Sequence, residues 1–194
     1  MAHHNTVFSQ LLKLISRHEF ETLAKQHHSG RSFRTASRWS QFVTMAMAQL
    51  SGRDSLRDIA ENISAQTHRL YHLGIAKLTR SNLSRMNKDK PYALYEELFG
   101  KLLNRCQAMA PGHNFCFDNP LYSLDASTID LCLTAFPWAD FRTTKGAIKL
   151  HVGLNHADYL PEFVTITDGK TSDIEAGRAL DFPKGSMVAV DRGV

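Results

Sequence analysis

The hydrophobic period of this chain changes once, at Pro111-Gly112-His113-Asn114, and that change excludes a fold built from one kind of element. Before it, apolar residues recur at helical spacing; after it, they gather in short, β-branched runs. The expectation is an α+β chain, with an all-α domain over residues 1–110 and a strand-rich domain over residues 118–194. Charge follows the same division. Residues 1–118 carry 16 Lys and Arg against 9 Asp and Glu, a net +7, and residues 119–194 carry 7 against 10, a net −3. A DNA-holding module joined to a cation-binding module would show this asymmetry, and so would a basic face that is simply solvated. With 43% hydrophobic and 22% charged residues the chain has the composition of a folded globular protein. No apolar run approaches the roughly 18 residues of a membrane span, and Met-Ala-His-His-Asn lacks the apolar centre of a signal peptide, so a cytoplasmic location is expected. Cys106, Cys116 and Cys132 have neither disulfide nor zinc spacing and are expected to be reduced and at least partly buried.

In the first part, Phe8, Leu11, Leu12, Ile15, Phe20 and Leu23 predict one or two short helices. His27-His28-Ser29-Gly30 interrupts them. Arg31, Arg34 and Arg38 follow around Phe33 and Trp39, a pattern that suits nucleic-acid backbone contacts and equally suits a polar link with surface charge. Residues 40–50 predict a buried helix ended by Ser51-Gly52, with Met45 and Met47 in the core. Ser55 can cap a helix with Leu56, Ile59, Ala60 and Ile63 inward and Asp58 placed for a capping box. A second helix begins near Ser81, with Leu83 and Met86 inward and Arg80, Arg85, Lys88 and Lys90 available for DNA. The pair resembles a helix-turn-helix. Residues 65–79 exceed its tight turn and must hold a further turn or helix, and an ordinary bundle with a solvated face fits the same spacing. Pro91 opens a long amphipathic helix running through Leu94, Leu98, Leu102 and Cys106. The pairs His3-His4 and His27-His28 lack metal-ligand spacing and read as incidental.

Beyond the boundary, residues 121–133, 147–155, 162–167 and 187–190 read as strands, residues 136–146 as a loop or hairpin connection, and residues 173–180 as a helix capped by Asp173. The order is β-β-β-α-β. The first and last strands each carry one carboxylate, Asp125 and Asp191. A carboxylate in a run suited to burial needs compensation, because an unpaired buried charge is costly and a bound metal ion offsets it. Two such strands predict a metal site.

The motifs Ser-Leu-Asp-Ala-Ser-Thr-Ile at Asp125, Phe-Pro-Trp-Ala-Asp-Phe-Arg-Thr-Thr-Lys-Gly-Ala-Ile-Lys-Leu-His ending at His151, Thr-Asp-Gly-Lys-Thr-Ser-Asp ending at Asp173, and Ala-Val-Asp-Arg-Gly at Asp191 resemble the DDE transposases of bacterial insertion sequences. They are most similar to the branch related to insertion sequence four, which has a helical N-terminal domain. The resemblance implies a helical DNA-binding domain followed by the first half of a ribonuclease-H-like fold. It implies two Mg²⁺ or Mn²⁺ ions, with Asp125 touching both and Asp191 one, and a glutamate on a later helix completing the triad. Glu162 and Glu175 come too early for that glutamate, and Val194 stands where the family usually has an aromatic residue. The expectation is a truncated or frameshifted copy with little strand transfer of its own. Lys145, Lys149 and His151 fall where the family places residues near the active-site edge, for phosphate binding or as a solvated face, and Arg192 could touch DNA beside Asp191. The partners implied are double-stranded DNA and either a second copy or a full-length transposase, in the bacterial cytoplasm and on the nucleoid when bound. A DNA-binding inhibitor or regulator, or a non-functional remnant, would carry the same motifs.

Overall fold

The computed structural model describes residues 6–34, 36–53, 55–109, 118–131, 140–142 and 145–191. Two units separate, residues 1–102 and residues 103–194, and each is considered by itself. Helices make up the first and a sheet dominates the second, so the chain is α+β.

The first unit contains α1 (Val7–Leu12), α2 (Arg17–Gln26), α3 (Arg38–Leu50), α4 (Leu56–Ala65), α5 (Thr67–Leu70), a 3-10 turn (Tyr71–Leu73), α6 (Arg80–Asp89) and most of α7 (Ala93–Met109). Five of its helices begin for a common reason. The hydroxyls of Thr6, Ser16, Ser37, Ser55 and Thr79, all on extended backbone, accept from the amide three residues on, satisfying a donor that has no intrahelical partner. Asp58 does not complete the expected capping box with Ser55; its carboxylate pairs with Arg53. The expected turn between α4 and α6 contains α5 and the 3-10 turn, ended by Gly74 at φ 65°.

Two apolar clusters hold this unit. Phe20, Leu23, Trp39, Val43, Ile63, Leu70, Ile75, Leu94 and Leu98 form one, with Phe20 edge-on to Trp39 at 5.2 Å between ring centroids. Ala48, Ile59, Leu78, Leu83 and Met86 form the other, and Phe33, Met45 and Leu56 pack on it. Buried polar groups of α3 reach α6 and the segment before it: Gln41 Nε2 donates to Asn87 Oδ1 at 2.6 Å, and Ser40 Oγ accepts from the Ala76 amide at 3.2 Å. His27, read above as incidental, hydrogen-bonds Glu97 at 2.5 Å and joins the end of α2 to α7; that bond is the main cause holding the Glu97 carboxyl below its usual range. Cys106 is exposed rather than buried, while Cys116, Cys132, His3 and His4 lie outside the described residues.

The second unit is a five-stranded sheet of β1 (Leu121–Leu131), β2 (Asp140–Arg142), β3 (Lys145–Asn155), β4 (Leu160–Asp168) and β5 (Met187–Val190), with α8 (Asp173–Ala179) between β4 and β5. The connection expected over residues 136–146 thus contains the short strand β2. β3 runs antiparallel to β1 and, on its other side, to β2 and β4; β5 lies parallel to β1 on the opposite edge. β4 and β5 run parallel but are not adjacent, and α8 is the connection that crosses between them. It covers one face only. Ala176 is buried against the sheet, and a Cβ on Gly177 would lie 3.0 Å from Leu124 Cδ2, so the helix approaches as closely as a glycine allows. Tyr122, Phe163 and Phe182 extend this covered side, with ring centroids 4.8 to 5.6 Å apart.

Ser172, not Asp173, caps α8: its hydroxyl accepts from the Glu175 amide, and Asp173 is the first helical residue.

Candidate functional site

Register decides where the two strand carboxylates fall. In the parallel pair of β1 and β5, Leu124 lies opposite Val190, and Asp125 and Asp191 are the next residue along on each chain, Asp191 just past the end of β5. Neighbouring strands are about 4.8 Å apart, which puts two carboxylates within reach of one ion or a close pair of ions. Because side chains alternate, Asp125 projects from the face opposite Tyr122 and Leu124, away from α8. On that open face its neighbours across the sheet are Val152 and Val164, and Ser123 and Ser127 flank it along β1.

Both carboxylates are exposed. The expectation that burial demands a compensating cation therefore fails for this arrangement. The physical reason is that α8 covers only the other face, leaving Val164, Ile166, Ile129 and Met187 exposed on the carboxylate side as well. Asp125 Oδ1 accepts from the Ala126 amide at 2.8 Å, and no ion pair to Asp125 or Asp191 occurs among the described residues. No group of three or more His, Cys, Asp or Glu side chains that could hold a metal occurs among the described residues. The donor set is thus two hard oxygen ligands: suited in kind to Mg²⁺ or Mn²⁺, incomplete in number.

Lys149 and His151 lie elsewhere. They pair with Thr128 and Ala126 of β1, on the face covered by α8. His151 is fully buried; its Nε2 hydrogen-bonds Thr167 Oγ1 at 2.8 Å, and its Nδ1 lies 3.5 Å from Asp173 Oδ1. Lys149 Nζ is 3.6 Å from the same oxygen. Burial pushes His151 below its ordinary range, Asp173 opposes that shift and Lys149 adds to it. This cluster fastens α8 to β3 and does not share a face with Asp125. Strand parity contains the signal for it, because residues 149 and 151 alternate with the apolar series Ile148, Leu150 and Val152 that faces the carboxylate side. Lys145 begins β3, and Arg192 lies outside the described residues.

In the helical unit α6 presents Arg80, Ser81, Ser84, Arg85 and Lys88 to solvent while Leu83 and Met86 are buried. Lys90 ends the helix; its ammonium is turned back onto the carbonyls of Ser29 and Arg31.

The domain of unknown function DUF4372 matches residues 3–76, from α1 through the 3-10 turn and short of α6. A probable transposase for insertion sequence element IS5377 of Geobacillus stearothermophilus is 25% identical over 183 residues, which is 93% of this chain and 46% of that relative. The chain is similar to an insertion-sequence transposase. The similarity runs through both units, and the chain spans about half the length of the relative it matches. No solved structure matches it. Among the described residues no helix is long and apolar enough to cross a membrane.

Proposed function

We propose that this chain carries the DNA-binding unit and part of the catalytic unit of a DDE transposase, the latter the first half of a ribonuclease-H-like domain. The observation that carries the reading is the placement of Asp125 beside Asp191 on neighbouring parallel strands, in a chain similar to a transposase along 93% of its length. The antiparallel β1, β3 and β4, followed by α8 and a parallel β5, support the fold assignment. Asp125 and Asp191 would hold Mg²⁺ or Mn²⁺, and a third ligand must come from a group outside the described residues. When bound, two such ions activate an attacking oxygen and stabilise the leaving one at a phosphodiester. The cations of α6 would grip double-stranded DNA, as a basic helix standing on its own apolar core suits.

The test has two arms. The purified chain should shift duplex DNA carrying its element's ends, more weakly as salt rises, because phosphate contacts release counterions. With Mg²⁺ or Mn²⁺ it should give little or no strand transfer by itself. Binding that ignores salt, or efficient transposition by this chain alone, overturns the reading. A second reading is favoured by the two separate cores of the helical unit, which need no carboxylate to form. In it the chain occupies element ends, alone, as a homo-oligomer or paired with a full-length transposase, and inhibits or regulates transposition. Inhibition of a full-length transposase by added chain supports it, and undiminished transposition under the same conditions removes it.

A further inference from the structure

We propose that loop 29–34 is a second DNA-backbone arm of the helical unit, that Arg31 and Arg34 make its phosphate contacts, and that Lys90 positions the arm instead of touching DNA. The inference rests on the DNA-binding reading above and adds to it a segment and a division of labour among its cations.

Loop 29–34 and α6 line one open cleft whose charged side chains are Arg31, Arg34, Arg85 and Lys90 against a single acid, Asp89. Two of the four cations are occupied within the protein. Lys90 Nζ donates to the Ser29 carbonyl at 2.6 Å and the Arg31 carbonyl at 3.0 Å, and it lies 5.2 Å from the centroid of the Phe33 ring. Arg85 lies 5.2 Å from the same ring and donates to Asn82 Oδ1 at 3.0 Å. The ring itself packs on the cluster formed by Leu83 and Met86, so the loop and the helix share one apolar foundation. Gly30, at φ 64°, occupies a conformation open to glycine and turns the chain between the two carbonyls that Lys90 binds.

Charge-assisted hydrogen bonds are the strong ones, and cations over aromatic rings add to them. The loop is therefore pinned at Ser29 and Arg31, on either side of Gly30, and again at Phe33. Arg31 and Arg34 remain exposed, and their guanidinium groups make no hydrogen bond or ion pair among the described residues. A planar, always-charged guanidinium held on a fixed backbone is suited to a phosphate, because little ordering remains to be done on binding. An unpinned loop would forfeit that advantage with its charges intact.

The experiment uses the whole chain and a fluorescein-labelled, random-sequence duplex of about 25 base pairs, titrated by anisotropy across a salt series. Each neutralised phosphate contributes about 0.9 to the slope of log affinity against log salt. Arg31→Gln and Arg34→Gln should each flatten the slope by about 0.9, and the double variant by about 1.8. Lys90→Met removes one charge but should flatten the slope like the double variant, raise hydrogen exchange across residues 29–34, and abolish any further effect of the two arginine changes. Lys90→Arg, which can still donate to both carbonyls, should restore the slope. Circular dichroism of each variant checks that the helices persist. Wild-type binding left unchanged by Arg31→Gln with Arg34→Gln overturns the arm, and effects of Lys90→Met that simply add to theirs make Lys90 an ordinary contact. A wild-type chain that does not bind the duplex overturns the DNA-binding reading along with the inference.

Discussion

His151 sets how the sheet unit should respond to acid. It is fully buried beneath α8, held by Thr167 through Nε2, with Asp173 Oδ1 at 3.5 Å from Nδ1 and Lys149 Nζ beside that oxygen. Desolvation is the largest influence and lowers its pKa; the Asp173 carboxylate raises it by less, and Lys149 lowers it further. The folded value therefore lies below the unfolded value of about 6.5. Between the two, the unfolded chain binds the proton and the folded chain does not, so stability is complete above about pH 6.5 and falls as pH drops toward the folded value. The slope cannot exceed about 1.4 kcal/mol per pH unit for one proton. The depressed carboxyls of Asp168 and Glu97 act in a lower window, stabilising above the ordinary carboxylate range and losing that contribution as pH falls through their folded values. His151→Gln can keep the bond to Thr167 and removes the titration. Urea unfolding from about pH 7.5 to 5, read from hydrogen exchange of β3 and β4 peptides, should show wild type losing stability relative to the variant only below about pH 6.5. A constant difference across that range refutes the argument. Wild type gaining on the variant in acid would mean that the ion pair with Asp173 outweighs burial.

Gly177→Val places a branched side chain where a Cβ alone would stand 3.0 Å from the fully buried Leu124. Overpacking of about 1–3 kcal/mol should exceed the few tenths gained in helix propensity, lowering the urea midpoint of the sheet unit. Ser55→Ala removes the hydroxyl that accepts from the Asp58 amide at 3.1 Å and should cost about 1 kcal/mol in the helical unit, seen as faster exchange at the start of α4. Val164→Lys with Ile166→Lys changes two exposed residues, so each should alter stability by less than about 0.5 kcal/mol while self-association, measured by light scattering, declines. Asp125→Asn relieves a like-charge neighbour and should raise metal-free stability by about 0.2–1 kcal/mol; a clear loss would show that Asp125 has a stabilising partner.

Legibility followed the range of the interactions. The helices over residues 38–50 and 56–65 and the strands of the sheet are written in local spacing and caps, and they occur within a residue or two of expectation. β2 was less legible because three residues paired to the start of β3 have no period of their own. At α8, Ser172 and Asp173 are both able to cap, and the choice turns on backbone that only the fold sets: Ser172 is extended, at ψ 156°, and Asp173 is already helical. His27 and Glu97 are too far apart in the chain for any local pattern to pair them. Likewise Lys90 looked like one more outward cation on a basic helix, whereas its ammonium is taken up by carbonyls from a loop about sixty residues earlier.

For the carboxylate pair the reason to propose a cation lies in strand register and not in burial. A carboxylate buried in an apolar strand calls for a cation, but both acids are exposed. Adjacency supplies a different reason. Each acid alone on a solvated strand would need no partner, but β5 runs parallel to β1 in a register whose last pair, Leu124 and Val190, is followed on each chain by an acid. Like charges facing each other across neighbouring strands repel, and no ion pair to either offsets this among the described residues. The ammonium of Lys149 is on the other side of the sheet and engaged with Asp173. A small divalent ion between the two acids would turn that repulsion into attraction, and hard oxygen ligands are the kind that Mg²⁺ and Mn²⁺ take. The proposed metal site therefore depends on strand register, and a register shift of one residue, which moves Asp125 and Asp191 out of line, would remove it.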